Sequence, residues 1–388
     1  MNHALKPLLL ASALLTASAV HAEVKVGFVG TLSGPSADVG RDQLDGFMLA
    51  LEQLGGKLGG ETATVVREDD QQKPEAALVA VNKLLERDKV DVITGLTFAN
   101  VLMALQAKIA STDVPFVGSV AGPSAAAGAQ CKPNLFVTSW QSDVPAEVVG
   151  KYLTDKSVKR IVTMTPSFVG GRDKIAGLKR LYKGEIVDEV YTPLSQLDFS
   201  AELTKLASQK PDAVYAFYPG GLGVTFVRQY QQAGLLGKIP LYTSNTIEGN
   251  ALEAMGPAAV GAILGDTWSP GHPSDESRRF VEAFQKKHAR LPSAYAAFSY
   301  DAAMLLDAAL KTTKGNAADR KALSKAIAGA TFKSVRGDFR FGNNNFPVQN
   351  YHIYTVARGT GGKPEFKMTE ANVLKAHPDA YAAQCVAR

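Results

Sequence analysis

The chain has 388 residues, 46% of them hydrophobic and 20% charged, with a formal net charge of +5 at pH 7. That length accommodates two domains with proper cores, and that composition excludes a disordered chain. The lysines and arginines are scattered, and the densest stretch, residues 151–160, also holds acids, so a solvated surface is expected and no nucleic-acid face.

His3 and Lys6 precede an apolar run from Leu8 to Val20, and Val20-His21-Ala22 follows with small residues at the third and first positions before a cut. Residues 1–22 therefore read as a secretory signal peptide cleaved before Glu23. The run is short for a membrane span, and no later segment reaches about 18 uninterrupted apolar residues. No cysteine follows it to carry a lipid anchor.

Residues 24–30 read as a buried strand ending in the turn Thr31-Leu32-Ser33-Gly34-Pro35. The helical run after it carries Leu44, Phe47, Met48 and Leu51 on one face. Residues 63–70 form a second strand, and a helix over 74–87 has Pro74 near its first turn. Strand 90–95 leads through Leu96-Thr97-Phe98-Ala99-Asn100 into a helix with Val101, Leu102, Leu105 and Ile109. Strand 114–119 leads into the loop 120–124, and 135–140 is short and extended.

The rhythm then restarts. Helix 146–152, strand 160–164, the loop 165–171 and a helix to Tyr182 precede strand 185–191 and helix 199–209. Strand 213–218 ends at Pro219-Gly220-Gly221, another helix follows, and further strands cover 240–245 and 262–265. Helices over 274–288 and 299–311 precede two extended runs, 337–341 and 351–356, and Gly359 to Gly362 looks like a hairpin tip. Both halves thus repeat a strand, a turn and a helix, the pattern of an α/β fold with parallel sheets and right-handed crossovers. Ligands of such sheets bind beyond the carboxyl ends of the strands. The loops there are rich in Ser, Thr, Asn, Gly and aromatics, which supply N–H groups, hydroxyls and flat apolar walls.

Cys131 and Cys385 are the only cysteines. In an oxidising compartment they read as one disulfide, stabilising by roughly 4–5 kcal/mol on the loop-entropy model; the alternative is two unconnected buried thiols. His272, His288, His352 and His377 are far apart and lack metal-ligand spacing. No H-E-x-x-H, C-x-x-C, phosphate-binding G-x-x-x-x-G-K-[ST] or G-x-S-x-G motif occurs, and Gly221-Leu222-Gly223 lacks the third glycine of a dinucleotide fingerprint. No metal and no cofactor are expected, and a binding protein is a stronger reading than an enzyme.

Several motifs together carry a resemblance: Gly30 to Pro35, Ala121-Gly122-Pro123-Ser124, Ser139-Trp140-Gln141-Ser142-Asp143, Asp198 to Leu203, Pro211 to Val214, Tyr218 to Gly221, Arg336 to Phe339 and Asn345-Phe346-Pro347. On them the chain resembles the type I periplasmic solute-binding proteins of ABC importers, in the leucine/isoleucine/valine-binding superfamily. Within it the chain is similar to the branch that takes aromatic carboxylates of benzoate or phenylpropenoid type, which the late cysteine also fits. The resemblance implies a monomer of two Rossmann-like lobes joined by three crossovers, with the ligand in the interlobe cleft. Lobe one would be 23–139 plus 268–344, and lobe two 140–267 plus 345–388. It further implies a periplasmic location, closure on the ligand, and an ABC permease in the inner membrane as partner.

The same resemblance places the ligand against Ser33, against Thr97, Phe98, Ala99 and Asn100, and against Ser119, Ala121 and Gly122, whose N–H and hydroxyl groups would hold its carboxylate. Phe168 and Tyr218 would cover its ring. Trp140 falls at the first crossover, where packing between lobes is as fitting as ligand contact, and Arg41 reads as solvated. Amino-acid binders of the superfamily carry an aromatic where this chain has Val39, and a carboxylate to pair the ligand ammonium where it has Asn245. Glu248, three residues on, is the alternative for that position. An uncharged Asn245 disfavours an α-amino acid, because a buried unpaired cation costs several kcal/mol. A branched-chain or aliphatic amino acid or amide binder, or a periplasmic sensory receptor, are the alternative readings.

Overall fold

The computed structural model describes residues 23–386, so the signal peptide expected over 1–22 lies outside it. Its strands form two sheets. The first contains β1 (Val24–Gly30), β2 (Lys57–Leu58), β3 (Glu61–Asp69), β4 (Val92–Gly95), β5 (Phe116–Gly118) and β6 (Leu135–Val137), in the order β2-β3-β1-β4-β5-β6. All pair parallel except β2, which turns back onto β3. The second contains the parallel strands β7 (Arg160–Pro166), β8 (Glu185–Thr192), β9 (Ala213–Ala216), β10 (Leu241–Thr243) and β11 (Ile263–Asp266). It is extended antiparallel by β12 (Phe339–Phe341), β13 (Pro347–Arg358) and β14 (Pro364–His377), in the order β12-β13-β11-β10-β9-β7-β8 with β14 on β13.

Helices cover the faces of both sheets, which is why central strands such as β4 and β9 are continuous apolar runs. Phe47, Ala50 and Leu51 of helix Ala37–Gln53 meet Leu305, Leu306 and Ala309 of helix Ala294–Thr312 over Val24, Val26 and Val92. A helix late in the chain thereby completes the first lobe. It begins earlier than the expected 299 because the Ser293 hydroxyl accepts the Ala296 N–H at 3.2 Å and so caps it. Helix Asp275–His288 starts under Ser274, as its sequence indicates. Helix Arg320–Gly329 and β14 have no counterpart in the patterns read above. β14 is an edge strand with Glu365, Lys367 and Glu370 along it, a polar composition that does not announce a strand.

The expected end of the first lobe at 344 needs correction. Phe339–Phe341 is β12, paired with β13 through Phe339↔Gln349 and Phe341↔Pro347, so its backbone belongs to the second sheet. Its Phe341 ring nonetheless packs on Phe136 of β6, at 5.6 Å between centroids. The strand straddles the seam.

Arg336 ties Ser139, at the first crossover, to helix Ala294–Thr312 and to β13. This buried guanidinium donates from Nε to Asp301 Oδ2 at 3.0 Å, and from Nη1 to the Ser139 carbonyl at 2.9 Å and Gln349 Oε1 at 3.0 Å. The rings of Phe298 and Phe339 lie 4.6 and 4.8 Å from it. The ion pair with Asp301 and the flanking rings answer a charge that water does not reach.

Cys131 and Cys385 are joined in a disulfide, with their Cα atoms 5.6 Å apart and a sequence separation of 254. It fastens the tail of the second lobe to the first. A Cys131→Ser/Cys385→Ser double variant is expected to keep the same circular dichroism spectrum but to unfold at lower urea concentration, with a stability loss of at most about 4–5 kcal/mol.

Candidate functional site

Loops from the strand ends of both lobes converge on one cavity of ≈ 50 Å³. From the first lobe come Thr97, Phe98 and Ala99 after β4, Val120 and Ala121 after β5, Val39 of helix Ala37–Gln53 and Tyr295 of helix Ala294–Thr312. Trp140 and Ser142 enter from the first crossover. The second lobe supplies Phe168 and Gly170 after β7, Lys174 from helix Val169–Leu181, Phe217 and Pro219 after β9, and Asn245 after β10.

Its walls are mostly flat and apolar. The Phe168 ring lies 6.2 Å from Phe217 at an interplanar angle of 28°, and 6.3 Å edge-on from Phe98 across the lobe boundary. Trp140 faces Tyr295 at 6.3 Å. Such a slot suits a planar ring, with about 0.5–1.5 kcal/mol per well-placed aromatic contact beyond area burial.

Lys174 is the one charged residue that lines the cavity among the described residues. It is 2% exposed, and its Nζ lies 5.3 Å from the ring centroids of both Trp140 and Phe217. It donates to Asn245 Oδ1 at 2.6 Å, and Asn245 Nδ2 donates in turn to Asp266 Oδ2 at 2.5 Å. The other oxygen of Asp266 accepts the Thr267 N–H at 2.6 Å. Asn245 sits in the left-handed region at φ 56°, which Asn tolerates better than most residues. Its carbonyl accepts the Tyr295 O–H at 3.0 Å, a bond between the lobes. Burial pulls the Lys174 ammonium down from its ordinary value against the fields of Asp266, Asp143, Asp173 and Glu248. Burial pushes the Asp266 carboxyl up against the field of Lys174. Each buried group thus disfavours its own charge and is held by the other's.

Of the residues expected at the ligand, Thr97, Phe98, Ala99, Ala121, Phe168 and Asn245 line the cavity. Five others do not. Ser33 is on the exposed turn, with its hydroxyl on the Asp69 carboxylate. Asn100 lies one residue into helix Ala99–Ala104, behind the wall. Ser119 is buried beneath the cavity, where Gln43 Nε2 donates to its hydroxyl at 2.9 Å and Ser299 lies at 3.3 Å. Gly122 lets the chain pass the first crossover, since a Cβ there would stand 2.0 Å from the Trp140 carbonyl oxygen. Tyr218 lies in the core of the second lobe, 4.8 Å from Phe199 and 4.7 Å from Phe226. Its neighbour Phe217 takes the place in the wall. Both faces of β9 are buried, so no polar alternation marks which side meets the cleft.

Lys174, Ser142 and Tyr295 were not singled out by sequence, and Trp140 was left between two roles. A lysine inside a helix normally reads as solvated. The signal available was position: Lys174 follows the strand-end loop 165–171 by one helical turn. Arg41 is exposed, as read. Glu248 is buried outside the cavity, where its Oε2 accepts the Ala294 N–H at 2.9 Å, so Asn245 and not Glu248 faces the cleft.

The lobes touch around the site. Ser124 of the first lobe donates its N–H and hydroxyl to Asp173 of the second, at 2.9 and 2.8 Å. Burial beside Asp143 raises the Asp173 carboxyl to about 6. Gly249 approaches the Pro292 carbonyl so closely that a Cβ would stand 2.0 Å from the oxygen. The cleft is closed.

Comparison with known proteins follows this geometry. Residues 23–363 match the family described as periplasmic binding protein. A Leu/Ile/Val-binding protein homolog 6 of Brucella melitensis biotype 1 is 27% identical over 363 residues, covering 90% of this chain and 91% of that protein. An ABC transporter solute-binding protein of R. palustris, solved in complex with benzoate, is 31% identical with a TM-score of 0.88, covering 94% of this chain and 100% of that one. A second solute-binding protein, from Rhodopseudomonas palustris BisB5 in complex with 3,4-dihydroxybenzoic acid, is 27% identical with a TM-score of 0.87, covering 92% and 99%.

A Gly249→Ala substitution is expected to keep the lobes from closing fully, because the added methyl meets main chain on the opposite lobe. Small-angle X-ray scattering checks this as a larger radius of gyration than that of the parent protein.

Proposed function

We propose that this chain, which belongs to the periplasmic binding protein family and is the substrate-binding component of an ABC transporter, captures a small aromatic carboxylate and hands it unchanged to an inner-membrane permease. The observation that carries the reading is Lys174, among the described residues the only cation in an otherwise uncharged aromatic slot. A ligand carboxylate set against Lys174 gains a charge-assisted bond of about 1.5–3 kcal/mol, while Phe168 and Phe217 take the ring. Thr97 and Ser142 offer polar edges for ring substituents. The benzoate and dihydroxybenzoate complexes of the two R. palustris proteins support the same ligand class.

An α-amino acid would bring an ammonium into a wall that holds another ammonium and no carboxylate among the described residues. Its carboxylate would meet Lys174 as that of benzoate does, but its ammonium would be buried unpaired, at a cost of several kcal/mol. The name of the Brucella relative speaks for the second reading, a branched-chain amino acid binder. In either case the two lobes, with the boundary of the last crossover before β12, act as a monomer that closes by hinge motion.

Isothermal titration with benzoate, 4-hydroxybenzoate, leucine and isoleucine separates the readings: binding of the two acids alone is expected, and binding of the amino acids alone would sink the proposal. Lys174→Met is expected to weaken benzoate binding by about 10- to 150-fold, the equivalent of a lost charged hydrogen bond. Tyr218→Phe is expected to leave the affinity within about twofold, because that ring is in the core and not in the wall.

A further inference from the structure

We infer that Asp266 is a positioning residue that takes up one proton when a carboxylate ligand enters the cleft, so that the ligand is captured together with a proton as a neutral pair. The inference rests on the carboxylate reading above. It begins with geometry. Lys174 and Asp266 do not touch; a single side chain, Asn245, bridges them, with its amide oxygen on the cation and its amide nitrogen on the carboxylate. All three are buried, at 2%, 2% and 5% exposure. The bridged pair is neutral as a whole, with one plus and one minus. A ligand carboxylate adds a second negative charge to a site closed to water, and burying uncompensated charge is what such sites avoid. A proton on Asp266 restores neutrality.

Other charged groups around the pair are already engaged. Asp143 holds Arg180 at 2.9 Å and the Tyr381 hydroxyl at 2.7 Å. Asp173 holds Ser124 across the cleft. Glu248 holds the Ala294 N–H and also hydrogen-bonds the Asn245 side chain, and burial beside Asp266 pushes its carboxyl up, toward the neutral form. Arg336 is committed to Asp301 at 3.0 Å. The hydroxyls of Tyr215, Tyr295 and Tyr351 face the same region, and burial keeps their protons on. Asp266 accepts the Asn245 amide N–H at 2.5 Å, across the same side chain that holds the ligand's counter-ion, and its burial already favours the protonated form.

The step balances simply. While the lobes are open, a proton from solvent adds to Asp266 Oδ2 and forms an O–H bond. No bond to carbon forms or breaks. The Asn245 amide can turn over to accept this O–H, and the Lys174 ammonium is freed to face the ligand oxygens. An aromatic carboxylic acid of ordinary acidity loses its own proton near about pH 4, so the ligand does not titrate in the neutral range. Uptake of a proton on binding means that affinity falls as pH rises, by up to about tenfold per pH unit.

Isothermal titration of the full mature chain with benzoate, in phosphate and in Tris at the same pH, counts the protons directly. The expected result is uptake of about one proton per benzoate, with Kd rising toward tenfold per unit between about pH 7 and about pH 9. Asp266→Asn is expected to bind benzoate with no uptake and a flat pH profile. Benzoate binding without proton uptake in the parent protein overturns the inference and leaves the carboxylate reading standing. Uptake unchanged in Asp266→Asn overturns the assignment to this residue. If neither benzoate nor 4-hydroxybenzoate binds, the reading and the inference fall together. Should Asp266→Asn not fold, the parent's proton count and pH profile decide alone.

Discussion

An ammonium taken out of water must be answered, and at Lys174 the answer is an amide and two ring faces instead of a carboxylate in contact. Much of the cleft depends on that arrangement. Asn245 is fixed in a left-handed backbone conformation with Asp266 behind it, and its own carbonyl reaches Tyr295 on the opposite lobe. One residue thus positions the cation and joins the halves. The cation keeps capacity to spare for an incoming anion, which a direct ion pair with Asp266 would have consumed.

A second buried charge lies away from the cavity. Arg336 draws Asp301, the Ser139 carbonyl and Gln349 into one knot at the place where the chain passes between lobes. Lys174 and Arg336 are alike in composition and burial, yet one is paired at once and the other waits.

The fold was largely legible in the residues because its central strands are short apolar runs followed by glycine-rich turns, as at β1, β4 and β9. Ser274 marked a helix start through its capping hydroxyl. What escaped was of two kinds. β14 is polar and owes its form to pairing with β13, which its own local pattern does not announce. In the site, Phe217 and Tyr218 are both aromatic and both buried, so only the three-dimensional register separates a cleft wall from a core. Lys174 looked like surface because its helix is amphipathic and its burial arises from the opposing crossover at Trp140. Asn245 was found by resemblance, where the substitution of an amide for a carboxylate is visible in one dimension.

The disulfide has a bearing on how such a chain matures. With only Cys131 and Cys385 present, a single chain has no alternative pairing to adopt, so no scrambled isomer exists to be corrected. The competing product is a bond between two chains. Chain order makes that competition real: Cys131 stands 254 positions before Cys385 and is translated long before it. Correct oxidation is therefore a unimolecular event that races a bimolecular one, and the concentration of unfinished chains tilts that race.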